Sequence, residues 1–239
     1  MPKPFLIIKT GGTYGEYAAE HDDFEHWTAR NMGLAPGQWT CVDVRGGASL
    51  PEFGRFAGTA VTGSHDMVTD GLPWIEPTAR WIARAVAAGH PVFGICFGHQ
   101  LLAHALGGEA GYHPKGPEIG TVHVALTPAA ADDPIFSALP NPFPAHVTHS
   151  QTALRLPPGA ALLARSAHDP HQAFRLGRCA WGVQFHPEFD EDITRVYVRG
   201  QAAELREMER DPAEVEANVR PTPESAGLLT AFARFCLGR

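Results

Sequence analysis

Apolar positions in the first half of the chain follow two rhythms. Short runs at residues 5–9 (Phe-Leu-Ile-Ile-Lys), 39–44, 58–62 and 92–95 have the length of buried strands. Residues 23–32 and 74–88 instead carry apolar side chains at helical spacing, with Ile75, Ile82, Ala85 and Val86 on one side behind Pro73. The stretch between residues 9 and 23 reads as a polar, glycine-containing loop. With a helix expected after residue 98, the order is strand, helix, strand, strand, helix, strand, helix, which predicts a doubly wound parallel sheet.

The rhythm then changes. Between residues 119 and 185, short β runs at 121–126, 145–148, 162–166, 172–176 and 180–185 are separated by Pro- and Gly-rich turns, predicting mixed or antiparallel β structure. Residues 190–210 are strongly charged and helical in composition. Pro212 opens another polar helix, and Pro221 and Pro223 interrupt the chain. A final helix over 226–237 places Leu228, Leu229, Phe232, Phe235 and Cys236 on one face, which should dock against the body. The expected fold is α/β: an open, mostly parallel sheet flanked by helices, with a mixed or antiparallel β region and a helical C-terminal tail. One domain over 1–239 is expected, with a core over roughly 4–190 and an extension over 191–239.

Composition narrows the function classes. A chain of 239 residues can bury a large core as one unit. The formal net charge of −7 with no basic run argues against nucleic acid or an anionic membrane as partner. The longest apolar stretches are too short to span a bilayer, and the first residues lack the shape of a secretion signal, so a cytoplasmic location is expected. Cys41, Cys96, Cys179 and Cys236 lie far apart without paired spacing, which argues against a zinc site and against a disulfide framework.

One cysteine stands out. In Val92-Phe-Gly-Ile-Cys96-Phe-Gly98, an apolar strand stops at a thiol held between two glycines and turns into a helix. This is the pattern of a nucleophile elbow: the tip residue takes strained angles, and Gly94 and Gly98 remove side chains that would collide. Cys96 then sits at a helix N-terminus, where unpaired N–H groups and the dipole favour a thiolate. A base is offered by Gly182-Val-Gln-Phe-His186-Pro-Glu188, where an apolar strand ends in a histidine. On an extended backbone His186 and Glu188 point to one face, so the carboxylate can orient the imidazole that takes the proton from Cys96. Each motif alone is weak, since most single cysteines are small core residues. Both at strand ends of a parallel sheet converge where such sheets place their sites.

Together with Ala60-Val-Thr-Gly63-Ser64, these two motifs resemble the triad-type class I glutamine amidotransferases, whose members include the glutaminase portions of GMP synthase and anthranilate synthase. The resemblance covers roughly residues 4 to 190 and implies their flavodoxin-like fold. It implies Cys96 as nucleophile, His186 as general base and acid, Glu188 as the orienting carboxylate, and the Gly63 and Phe97 amides as oxyanion donors. It assigns Gln100 to the amino-acid end of the substrate and Ser150 and Gln151 to the loop whose backbone does the same. Gln100 lies one helical turn beyond Cys96, on the same side. Of the other polar residues, His99 and His104 read as packing or surface residues. His149 reads as a structural histidine with no carboxylate partner at fixed spacing, and His65 and Asp66 as loop residues near the pocket mouth.

The implied reaction is thiolate attack on a primary carboxamide, loss of ammonia, and hydrolysis of a γ-glutamyl thioester to glutamate, with no metal and no organic cofactor. No Gly-x-x-x-x-Gly-Lys-Ser/Thr motif is present to activate an acceptor, so ammonia transfer would need a separate synthetase subunit. Two alternatives stay open. A γ-glutamyl peptidase uses the same thioester with another leaving group, and a non-catalytic regulatory module could keep the fold.

Overall fold

The structure, a computed structural model, describes residues 3–238. Its first half alternates as the apolar rhythm predicts: β1 (Phe5–Lys9), α1 (Gly15–His21), α2 (Phe24–Asn31), β2 (Trp39–Asp43), β3 (Thr59–Val61), α3 (Ile75–Ala87), β4 (Val92–Ile95) and α4 (Phe97–Ala105). Next come β5 (Glu109–Tyr112), β6 (Glu118–Leu126), β7 (Phe143–His149), β8 (Gln151–Arg155), β9 (Ala161–Arg165), β10 (Ala173–Leu176) and β11 (Ala180–Val183). Four helices close the chain: α5 (Glu191–Gly200), α6 (Ala202–Glu207), α7 (Pro212–Ala217) and α8 (Pro223–Cys236).

The main sheet runs β2-β1-β3-β4-β11-β10-β9-β6-β7. From β2 to β11 every pair is parallel, and from β11 to β7 every pair is antiparallel. Strand β11 joins the two halves: it lies parallel to β4 on one side and antiparallel to β10 on the other. The late strand that leads to His186 is therefore the direct neighbour of the strand that leads to Cys96.

Burial follows from this layering. Strands β3, β4 and β11 are buried throughout, as expected when helices cover both faces of a parallel sheet. In β1, Phe5 and Ile7 join the core layer that holds Leu228, Leu229 and Phe232 of α8, whereas Leu6 and Ile8 join the layer under α3 and α4. The period of two in the strand thus divides its side chains between two cores. The final helix docks as its apolar face predicts, with Phe235 and Cys236 partly buried at the margin of the same layer. Val198 of α5, Leu205 of α6 and Val215 of α7 pack around Ile119 of β6.

Three elements depart from the expectation. Helix α1 forms where a loop is predicted; it buries none of its residues, so no apolar period marks it. Strands β5 and β8 pair with each other as a separate two-stranded sheet, and their short, glycine-containing or polar sequences carry no strand signal. Residues 184–188 turn rather than continuing as strand, because β11 ends at Val183. Among the described residues no helix is long and apolar enough to cross a membrane.

Candidate active site

The β4–α4 corner is built by close backbone packing. A side chain at Gly94 would drive its Cβ into the Gly98 carbonyl oxygen, and one at Gly98 would drive its Cβ into the Val61 carbonyl oxygen. Both positions therefore require glycine for space, which lets β4, β3 and the first turn of α4 touch. At the tip, Cys96 has φ 50° and ψ −102°, a left-handed geometry that costs a residue with a Cβ about 1–3 kcal/mol and persists only where the surroundings impose it. Its amide donates to Val183 O at 2.8 Å, and its carbonyl accepts from Gln100 N at 3.1 Å. The sulfur is 3.5 Å from Gln184 Nε2, which donates to it, and 3.8 Å from Thr148 O.

His186 arrives from the other side. Expected on an extended strand end, it sits instead in the turn after β11. Its amide is pinned to His146 O at 2.8 Å, and its carbonyl accepts from Phe189 N at 3.4 Å. That turn, rather than a period of two, brings Glu188 back so that His186 Nδ1 donates to Glu188 Oε1 at 2.8 Å. Both side chains are almost fully buried, and Asn31 Nδ2 holds the Glu188 carbonyl at 3.2 Å. Phe189 stacks on the imidazole with centroids 4.1 Å apart. Burial opposes the charged imidazole, but the Glu188 carboxylate and then the Cys96 sulfur outweigh it and raise the His186 pKa to about 10. Its Nε2 is buried without a hydrogen-bond partner. His186 and Cys96 meet over Gly63: a Cβ there would lie 3.1 Å from His186 Cε1 and 3.8 Å from Cys96 Cβ.

Gly63 follows β3, and its carbonyl accepts from the Thr10 and Thr62 hydroxyls, each at 3.1 Å. Among the described residues neither the Gly63 nor the Phe97 amide has a protein acceptor. Gln100 is buried and uses its amide group internally, donating to Gln151 O at 2.7 Å and Gln184 Oε1 at 3.1 Å. The Gln151 carbonyl is thereby taken, and that side chain donates to Thr69 Oγ1 at 2.5 Å. Ser150 lies between β7 and β8, its carbonyl accepting from His113 N at 2.9 Å. All three line a cavity of about 220 Å³ together with Cys96, Phe97 and His186.

The remaining histidines sort by partner. His149 has a carboxylate neighbour that lies at no fixed spacing along the chain: Glu118 stands directly across the β6–β7 ladder, 3.1 Å from His149 Nε2. Cross-strand register, invisible in linear spacing, supplies the pair. The other ring nitrogen donates to Gln151 O at 3.0 Å, which makes His149 a bracing residue. His99 is buried against Phe174, and burial lowers its pKa to about 4. His104 is an outer residue beside Glu76. His65 lines the cavity and shares a 3.1 Å hydrogen bond with the Tyr197 hydroxyl.

Sequence reasoning misses part of the cavity wall. Outside that wall, the fully buried Gln184, which donates to the Cys96 sulfur from the turn after β11, is detectable as a polar residue in an apolar run. Tyr14, Tyr197, Gln201 and Glu204 come from the segment before α1 and from the C-terminal helices, outside the two motifs, and no local pattern announces them.

Comparison with known proteins gives the family. The family model described as Glutamine amidotransferase class-I matches residues 63–197. The chain belongs to that family. It is 36% identical over 189 residues to a glutamine-hydrolyzing GMP synthase subunit of Ignicoccus hospitalis, covering 77% of this chain and 87% of that one. Over 187 residues it is 34% identical to the "GMP synthase [glutamine-hydrolyzing]" of Aeropyrum pernix, covering 77% of this chain but only 32% of the relative. The chain thus spans about a third or less of the full-length synthases among these relatives. A "Gamma-glutamyl peptidase 4" of Arabidopsis thaliana is 30% identical over 187 residues, covering 76% of this chain and 71% of the relative. The crystal structure of a glutamine amidotransferase from Thermotoga maritima shares the fold, with a TM-score of 0.77 at 19% identity over 100% of both chains.

Proposed function

We propose that this class I amidotransferase cleaves the γ-carboxamide of glutamine through a thioester on Cys96. The observation that carries the reading is the buried, unpartnered Nε2 of a Glu188-held imidazole facing the thiol at a strained corner. Cys96 Sγ attacks the γ-carbonyl carbon while the proton of the thiol resides on His186. The oxyanion falls between the Gly63 and Phe97 amides, whose lack of protein acceptors supports that role. His186 returns the proton to the departing nitrogen, the C–N bond breaks, and ammonia leaves. Water, deprotonated by His186, then releases glutamate and the free thiol. Gln100, Ser150 and Gln151 hold the amino-acid end, with Gln100 Oε1 as the side-chain acceptor left over by its internal bonds.

Purified protein should release glutamate from glutamine, and Cys96→Ala should abolish the reaction. Equal rates for the two proteins would refute the assignment.

A second reading, γ-glutamyl peptidase activity, is favoured by the cavity's extension past His186 toward Tyr14 and Tyr197, where a leaving group larger than ammonia fits. Delivery of ammonia to a separate synthetase is the alternative use of the same chemistry, supported by the Ignicoccus relative, which is itself one subunit of a GMP synthase. We further read the chain as one working unit, because α5 and α6 contribute to the cavity wall and α8 to the sheet core. Four free thiols favour a reducing, cytoplasmic setting.

A further inference from the structure

The leaving nitrogen departs on the side of the acid that protonates it, so whatever surrounds His186 beyond the thiol decides which amines the site accepts. Here that surround is a continuous set of rings. Phe24 lies 6.4 Å from the His186 ring and 6.4 Å from His65. His65 lies 5.1 Å from Tyr14 and 5.5 Å from Tyr197, and the two tyrosines are 5.0 Å apart. Tyr197 is fixed by hydrogen bonds of 3.1 Å to His65 and 3.1 Å to Thr13. Tyr14 sits in a notch left by Gly200, where any Cβ would collide with its hydroxyl oxygen. Past the rings, Gln201 and Glu204 form the rim at the start of α6, with Asp66 on the opposite loop. Among the described residues no lysine or arginine lines the cavity, whereas two carboxylates do.

Ammonia needs none of this. A wall of π-faces ending in carboxylates is suited to a positively charged group, which rings attract through their quadrupole and Glu204 through its charge. We propose that the Tyr14–His65–Tyr197–Glu204 wall is a leaving-group subsite, and that the preferred substrates are γ-glutamyl amides of amines carrying a second, cationic nitrogen. The chemistry is the thioester route proposed above: the amide C–N bond breaks, the nitrogen takes its proton from His186, and the free diamine departs before water opens the thioester. The selectivity rests on that reading of Cys96 but is separable from it.

The test uses the full chain and three probes: γ-glutamyl-ethylenediamine, its neutral isostere γ-glutamyl-propylamide, and a chloroketone analogue of glutamine. The cationic amide should exceed the neutral one in kcat/KM by at least about fivefold, the scale of a partly exposed charge pair with ring contact. Glu204→Gln should cut that ratio by about threefold and Glu204→Lys should bring it below one; position 204 is exposed, so both variants should fold. A ratio within about twofold of one in the parent protein, or a ratio unmoved by Glu204→Lys, overturns the subsite. The chloroketone separates the two readings. An adduct on Cys96, read by mass spectrometry, with no cationic preference sinks the subsite alone. Absence of any adduct and any turnover sinks both.

Discussion

Two buried histidine–glutamate pairs stand at the same cavity, and they differ in how their ring nitrogens are spent. His186 gives Nδ1 to Glu188 and leaves Nε2 unpartnered beside a thiol. His149 spends both nitrogens, one near Glu118 and one on the Gln151 carbonyl. The carboxylates differ as well. Glu118 also accepts from Gln172 Nε2 at 2.6 Å and Ser166 Oγ at 2.8 Å, so it ties His149, Gln172 and Ser166 into one bracing network. Glu188 Oε2 has no partner, and its field is directed at one ring. A histidine beside an acid is thus insufficient to mark a candidate base; a free ring nitrogen is needed as well.

The sharpest way to break the comparison is to neutralise each acid. Glu188→Gln should lower kcat for amide hydrolysis by at least about 10²-fold, the range for losing an oriented acid–base group. It should also move the alkaline limb of the rate profile to lower pH, since Glu188 is the largest influence raising the His186 pKa. Glu118→Gln should instead show itself in a urea melt, as a loss of about 2 kcal/mol, because the new amide NH2 faces donors that the carboxylate accepted from. Comparable kinetic losses in the two variants would erase the distinction.

The smallest effect concerns pH and the melting temperature. His186, raised from 6.5 to about 10 in the fold, contributes stability that is fully present below pH 6.5 and is lost as pH rises through 10. His90 and His146 go the other way: burial lowers both from 6.5 to about 4, so the unfolded chain takes up protons first and stability falls as pH drops from 6.5 to 4. Melting should peak near pH 6.5 and decline by a few degrees on each side, and Glu188→Gln should flatten the alkaline side only. A parent protein whose melting point rises steadily from pH 6.5 to 10 would contradict this account of His186.

The legibility of these regions in the sequence follows from the range of the forces that make them. The elbow is legible because the Gly94–Gly98 approach around Cys96 lies within one turn, although the Gly98 requirement also comes from the distant Val61 carbonyl of β3. Strands β1 and β4 are legible because burial on both faces leaves unbroken apolar runs. Helix α1 has no buried side to reveal, and the Glu118–His149 pair exists only through ladder register. Tyr197 and Glu204 reach the cavity because α5 and α6 pack back over the sheet through Val198 and Leu205, a tertiary event with no periodic trace near the motifs. Linear spacing pairs His186 with Glu188, and the fold does the same by another route, a turn in place of a strand.

The position of β11 has a consequence for synthesis. The strand that delivers the imidazole wedges in beside β4 only after every antiparallel strand has been made, so the growing chain displays its sulfur long before a proton acceptor can reach it. Pairings this distant along the chain carry a loop-closure cost that local contacts do not. On the proposed reading of Cys96, the sulfur gains its base only when that insertion is complete, so catalysis and the last strand pairing arrive together.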